Sequence, residues 1–444
     1  MNSSQTQPKP LLKLISFHIA IISLVFQSII QSAFFTVPAF LVLLAPTSFA
    51  EEVATTSDEI ISNDPAIKVY EQNNVNIIHI NKRNGSDTSY NKLTDYNAII
   101  RDQTINNSAT GGNSQLAGTI VGNANFVGNA NFEGNADFEA SKILFEVTGS
   151  STRLERKIEI FGKKADFILV NSKGIICNGC GFINTSAVSF ITGDVDARDP
   201  NNIKYQINSD KNASVLIDSG GITFYGNNNV DDDNNVNLNL ISRAVKIAGE
   251  LKVQDRAKLN KLNIRAGVGE FQSDGNSFTT NYQNSDPNNI INASGSANQL
   301  SDQGFAVVID STALGGMRAG QISIIATEEG AGVKTDKALI SDLGSVDISA
   351  NGDIIINNNI TSQNNINLIS TDNINNSANL NAASNLNLTS TNSFTNSGQI
   401  NAGTAKISAQ NITNSNLISA AILSLTATIR STSENLTLNS TSGT

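Results

Sequence analysis

Three interleaved sets of apolar positions recur through the C-terminal third of the chain, and they constrain its fold more than any other feature. One set is Ile348, Leu368, Leu388, Ile407 and Leu425; a second is Ile354, Ile374, Phe394 and Ile412; a third is Ile360, Leu380, Ile400 and Ile418. The first two steps in each set are 20 residues, and later ones shorten to 18 or 19. Three apolar points per repeat predict three short strands per turn of a coil. Stacked turns place each Ile or Leu over its counterpart, so the repeats share one continuous core. Chance periodicity in Asn-rich, low-complexity sequence is the competing explanation, and the agreement of three registers over four or five turns argues against it. Asn at the corners tolerates left-handed backbone and can bond the neighbouring turn. The expected fold is all-β, a parallel β-helix. At about 4.8 Å per turn, some fifteen turns make a rod on the order of 70 Å long.

The rest of the chain fits this reading. Short β-type runs such as Lys142–Val147, Phe167–Val170, Val236–Ile241 and Leu259–Ile264 are separated by Gly and Asn turns, and no helical periodicity follows the first 50 residues. Aromatics make up 6% and Trp is absent, so the core is expected to be aliphatic. With 29 Lys+Arg against 39 Asp+Glu and no basic block, the chain has the wrong charge for nucleic acid, and no such partner is expected.

The N-terminus reads as an extended signal peptide over residues 1–50. Lys9 and Lys13 precede an apolar stretch from Leu14 to about Leu44, and Ser48-x-Ala50 is a small-x-small pattern that places cleavage between Ala50 and Glu51. A retained membrane anchor is the alternative, because Leu14–Ile30 is nearly spanning length. Residues 51–72 form a polar leader.

Several separated blocks then carry a resemblance. Asn171-Ser172-Lys173-Gly174-Ile175 runs into Cys177-Asn178-Gly179-Cys180-Gly181-Phe182-Ile183-Asn184-Thr185. Upstream are Asn84–Asn91, Asn123-Ala124-Asn125-Phe126 and Glu146-Val147-Thr148-Gly149; downstream are Leu240–Ile247, Ile309–Gly320 and Thr327–Val333. Together these resemble the two-partner-secretion domain of filamentous-haemagglutinin-like exoproteins, over roughly residues 73–335, with generic repeats over 336–444. The resemblance implies a right-handed parallel β-helix with an N-terminal cap. It also implies recognition by the periplasmic domains of an outer-membrane pore, with Asn123, Asn125, Asn171, Gly174 and Ile175 as recognition residues. The chain would then cross extended and fold outside, secreted or on the cell surface.

Two departures stand out. The family usually has Asn-Pro-Asn at both motifs, whereas this chain has Asn123-Ala124-Asn125 and Asn171-Ser172-Lys173. Without Pro to pre-set φ, both turns should be less rigid. The first motif is also multiplied: Gly122–Val127, Gly128–Glu133 and Gly134–Glu139 read GNANFV, GNANFE and GNADFE. This is either an enlarged recognition loop or a tolerated surface insertion, and loop tolerance favours the second.

Little else suggests chemistry, and no enzyme, metal or cofactor is expected. Cys177 and Cys180 are the only cysteines; in an oxidising compartment a local disulfide is the leading reading, ahead of a redox site or zinc. His79, the only histidine after the leader, lies in an apolar alternating run and reads as a packed strand residue rather than a catalytic base. Asp231-Asp232-Asp233 reads as a solvated loop rather than a Ca²⁺ site. The expected role is therefore a non-enzymatic exoprotein, first an adhesin meeting a host or neighbouring-cell receptor. The alternatives are a haemolysin or contact-dependent-inhibition toxin passenger, or a truncated remnant, since the last turns are ragged and lack a recognisable polar cap.

Overall fold

The computed structural model describes residues 58–126, 136–200, 202–207, 213–226, 234–267, 269–273, 278–280, 307–311, 317–328, 330–427 and 438–439. The leader with its Ala50–Glu51 junction, Asp231–Asp233, the middle of the hexapeptide expansion and Leu314–Gly316 lie outside these residues.

One turn shows how the sequence makes the coil. In Val346–Ala350 the first, third and fifth residues point inward; Ile354–Ile356 and Ile360–Ser362 each bury their first and third. Alternate side chains of a strand face opposite ways, so three short strands suffice to line a three-sided core. The next turn starts at Ile366–Ser370, which pairs in parallel with Val346–Ala350.

The three sequence periodicities are the registers of three ladders. Ile348 pairs with Leu368, and the pairing continues through Leu388, Ile407 and Leu425. Ile354, Ile374, Phe394 and Ile412 form the second column. Ile360, Leu380, Ile400 and Ile418 form the third. Shortening of the repeat has a local cause. Where Leu380–Ser390 meets Ile400–Ala409 the register shifts between Ala382 and Asn385, so the lost residue falls at a corner and the inward columns stay aligned. Each fully buried Leu or Ile contributes about 1.5–3 kcal/mol, which favours losing residues from corners rather than columns.

Asparagines bond turn to turn. Asn376 Nδ2 donates to Asn396 Oδ1 and Asn396 Nδ2 to Asn414 Oδ1, both at 2.6 Å, and all three residues are buried. Their remaining N–H bonds reach the carbonyls of Ala378, Gly398 and Asn416. Outside the coil, Asn387 donates to Asn367 and Asn401 to Asn381, at 2.8 and 2.9 Å.

The earlier turns differ in two ways. Their core is not purely aliphatic: Tyr96, Phe145, Phe167, Phe182 and Phe224 form a column with successive ring centroids 5.0, 5.6, 5.6 and 6.3 Å apart. Eight of the nineteen Phe fall between Phe126 and Phe190. The outer faces are also covered. A four-stranded antiparallel sheet (Asp194–Asp196, Lys204–Ile207, Gly269–Ser273, Phe278–Thr280) accompanies a second apolar cluster of Leu144, Ile168, Val170, Ile191, Tyr205, Ile207 and Ile241. The hairpin Gly111–Ser114/Gly118–Val121 likewise flanks a third cluster containing Val75, Ile77 and Phe161. Strands such as Ala165–Asn171 are thus buried on both faces, which is why they read as continuous apolar runs.

The cap is a strand that runs the wrong way. Lys68–Gln72 pairs antiparallel with Val75–His79, at the edge of a seven-stranded sheet otherwise parallel. The two residues between them, Asn73 and Asn74, both hold left-handed backbone (φ 53° and 61°), the geometry of the tightest hairpins.

Candidate functional site

The first motif is a turn tied from both sides. Gly122 lies so close to Ala109 that a Cβ would stand 2.3 Å from the Ala109 carbonyl oxygen, so only glycine fits. Asn123 is fully buried; its Nδ2 donates to the carbonyls of Ile80 and Asn106, both at 2.9 Å, and its Oδ1 accepts the Asn125 N–H at 3.0 Å. Asn125 Nδ2 donates to the carbonyls of Ala66 and Ile80, both at 2.8 Å. One carbonyl, that of Ile80, therefore takes an amide from each motif asparagine. Ala124–Phe126 winds into a single 3-10 turn that buries Phe126, and the Ala124 N–H donates to His79 Nδ1 at 3.2 Å.

The expansion rejoins the coil at an equally fixed point. Ala136–Phe138, in the last copy, is again a 3-10 turn. Beyond it Asn107 brackets Ala140, donating to its carbonyl and accepting its N–H at 2.8 and 2.9 Å.

The second motif closes on its own asparagine. Asn171 is buried, donates to the Ser150 carbonyl and Thr152 Oγ1 at 2.8 and 2.9 Å, and accepts the Lys173 N–H on Oδ1 at 2.8 Å. That side-chain-to-backbone bond shapes the turn in the absence of proline. Gly174 takes φ +112°, which L side chains rarely adopt. Ile175 then opens the buried strand Ile175–Cys177, pairing with Thr152 and Val215. Cys177 and Cys180 are bonded to each other, their Cα atoms 5.5 Å apart, and both are buried. Between them the Gly179 N–H donates to the Gly221 carbonyl at 2.8 Å.

The structure thus brings Asn123 and Asn125 together on Ile80, and sets Asn171, Gly174, Ile175 and the cysteine pair in one continuous segment. Sequence reasoning missed the supporting residues. Glu159 is buried, and its carboxylate accepts Ser114 Oγ and the N–H groups of Gln115 and Leu116 at 2.5 to 3.1 Å, pinning the outer hairpin. The signal was a lone acid inside the apolar run Ile158–Phe161. Among the described residues no group of three or more His, Cys, Asp or Glu is placed to hold a metal.

The model of the TPS secretion domain family matches residues 53–356, well over half of the chain. The chain belongs to the TPS secretion domain family. The secretion-domain turns above therefore sit in an exported protein, in a domain whose own fold is non-catalytic. The chain is similar to the 16S rRNA endonuclease CdiA of Enterobacter cloacae, 31% identical over 221 residues, which is 49% of this chain and 6% of that protein. It is similar to the hemolysin of Serratia marcescens, 31% identical over 205 residues, 44% of this chain and 10% of that protein. The match thus spans a tenth or less of these relatives' length. The crystal structure of the filamentous hemagglutinin secretion domain superposes with a TM-score of 0.51 at 21% identity, covering 84% of this chain and 99% of that one. The shared fold is the parallel β-helix.

Proposed function

We propose that the TPS secretion domain of this chain is recognised by the periplasmic domains of an outer-membrane two-partner pore while still unfolded, and that folding then conceals the recognised residues. One observation carries this reading: Asn123, Asn171 and Ile175 are fully buried in the folded domain. The side-chain amides of Asn123 and Asn171 are engaged by backbone carbonyls and Thr152 Oγ1. A partner that reads these side chains must meet them before the turns close. Closure outside the cell then removes the ligand from the pore and opposes backsliding. The domain boundaries 73–335 and 336–444, and cleavage after Ala50, are part of this proposal.

The passenger role we propose is adhesion to a host or neighbouring-cell receptor, by a coil flanked with Asn, Ser and Thr. A toxin or haemolysin passenger is the second reading, favoured by the names of the CdiA and hemolysin relatives.

The test is capture of the chain by the isolated periplasmic domains of a matched pore. Chain freshly diluted from urea should bind, and pre-folded chain should not; Asn123→Ala and Asn171→Ala should weaken capture of the diluted form. Equal capture of folded and unfolded chain would overturn the order of events. Location and intact mass in cells with and without the pore would test export and cleavage.

A further inference from the structure

We propose that His79 is the positioning residue of the Gly122–Phe126 turn, and that it makes this turn open in acid. The inference does not depend on what recognises the turn, because its readout is the turn itself.

His79 ends the strand Val75–His79, and its ring is buried. Nδ1 accepts the Ala124 N–H at 3.2 Å. An acceptor nitrogen carries no proton, so the ring is neutral with its hydrogen on Nε2. Nε2 lies 3.3 Å from Tyr70 Oη, which can accept that hydrogen. It also lies 3.3 Å from Asn106 Nδ2. Asn106 is held with its amide nitrogen towards the ring, because its Oδ1 accepts the Ser108 N–H at 3.1 Å and its Nδ2 donates to the Val121 carbonyl at 2.9 Å.

The ring therefore faces two nitrogen donors and one hydroxyl. An imidazolium needs two acceptors, and this site offers one. A second proton, on Nδ1, would point at the Ala124 N–H and replace a hydrogen bond with two opposed donors. The charged group set against the ring is Lys68, its register partner on the antiparallel strand, and the other titratable group is Tyr70. From the strand Asp102–Asn107 the group at the ring is Asn106, and from the turn it is Ala124; neither titrates. Burial first, and Lys68 second, hold the His79 pKa below its ordinary 6.5.

The sign follows from proton binding. The open turn frees the ring to titrate normally, so below 6.5 it binds protons that the closed turn refuses. Closure is fully stable above that pH and is lost as the pH falls through the lower, closed-state pKa. Opening has a definite consequence, because Ile80, the residue after His79, carries the carbonyl that both Asn123 and Asn125 grip.

The test is amide hydrogen exchange of Ala124 and Phe126 in the folded full chain between pH 7.5 and 5.0, corrected for the intrinsic rate, with Ile176 as the internal reference. Protection at Ala124 should fall on the order of tenfold for each unit separating the open and closed pKa values, while Ile176 stays protected. His79→Gln, which offers an acceptor that does not titrate, should make Ala124 protection independent of pH. Lys68→Gln should move the acid midpoint upward. Unchanged Ala124 protection in the native chain overturns the proposal, as does an equal loss in His79→Gln. Should His79→Gln fail to fold, an unmoved midpoint in Lys68→Gln overturns it.

Discussion

Arg243 and Glu328, 85 residues apart, meet in a two-point ion pair, Nε to Oε1 and Nη2 to Oε2, both at 3.1 Å. The arginine side chain is 5% exposed and the glutamate 19%. Arg243 follows the strand Asn235–Ser242 and Glu328 lies just beyond Gln321–Ala326, so the pair bridges two strands separated in the sheet by Lys258–Ala266. These two residues lie in separate blocks of the family resemblance, and each block holds half of this contact.

Removing one half should be costly. Arg243→Met leaves a largely buried carboxylate without its partner, with an expected loss of about 3–5 kcal/mol in urea unfolding. Arg243→Lys keeps the charge and loses the fork, so its loss should be smaller. The double change to Met at both positions should recover much of the stability. A double variant no better than Arg243→Met alone would mean that packing, not charge, sets the cost.

Asn123→Ala orphans the Asn106 carbonyl and the Asn125 N–H while Ile80 keeps its bond from Asn125. The expected cost is about 1–3 kcal/mol, visible as earlier proteolysis within the Gly122–Phe126 turn. Asn125→Ala, which loses bonds from a half-buried side chain, should cost less.

The inner and outer asparagine ladders should respond differently to the same substitution. Asn396→Ala breaks both 2.6 Å bonds of the buried ladder and should destabilise the coil by about 1–3 kcal/mol. Asn387→Ala removes an exposed rung and should stay within about 0.5 kcal/mol. Thermal unfolding of the two variants side by side makes the comparison.

Asp166 should oppose His79 in its pH dependence. Burial pushes its carboxyl up to about 6 from 3.8, against the Ser186 hydrogen bond and the charges of Lys142 and Lys164. With the folded pKa raised, the folded state binds the proton more tightly, so stability is greatest below 3.8 and declines as the pH rises through about 6. Asp166→Asn should stabilise the protein at pH 7 by on the order of 2 kcal/mol and have little effect at pH 3.5. Urea midpoints at the two pH values check both halves.

The C-terminal turns were legible to the residue because each strand there has one buried and one wet face. Ile348, Ile354 and Ile360 announce their columns against polar neighbours. The earlier turns were less legible because their outer faces are covered. Phe167–Val170 shows no alternation when Ile168 and Val170 pack outward against a second layer while Phe167 and Leu169 pack inward. The motif turns were visible as Asn and Gly, but the partners were not. Nothing in the sequence ties Asn123 to a carbonyl 43 residues away, or His79 to the N–H of Ala124. Such bonds join a side chain to backbone, and backbone carries no letter.

The reversed strand Lys68–Gln72 also bears on how copies of this protein meet. A parallel coil is a polymer template at each end, since every turn presents the edge that the next turn needs. Here one edge is occupied by a strand of opposite sense, with Lys68, Val69 and Glu71 at its exposed positions. A second copy arriving with its own parallel turn finds neither the direction nor the charge to continue the ladder. The hairpin at Asn73–Asn74 thus leaves this edge of the sheet without a parallel strand for a second copy to extend.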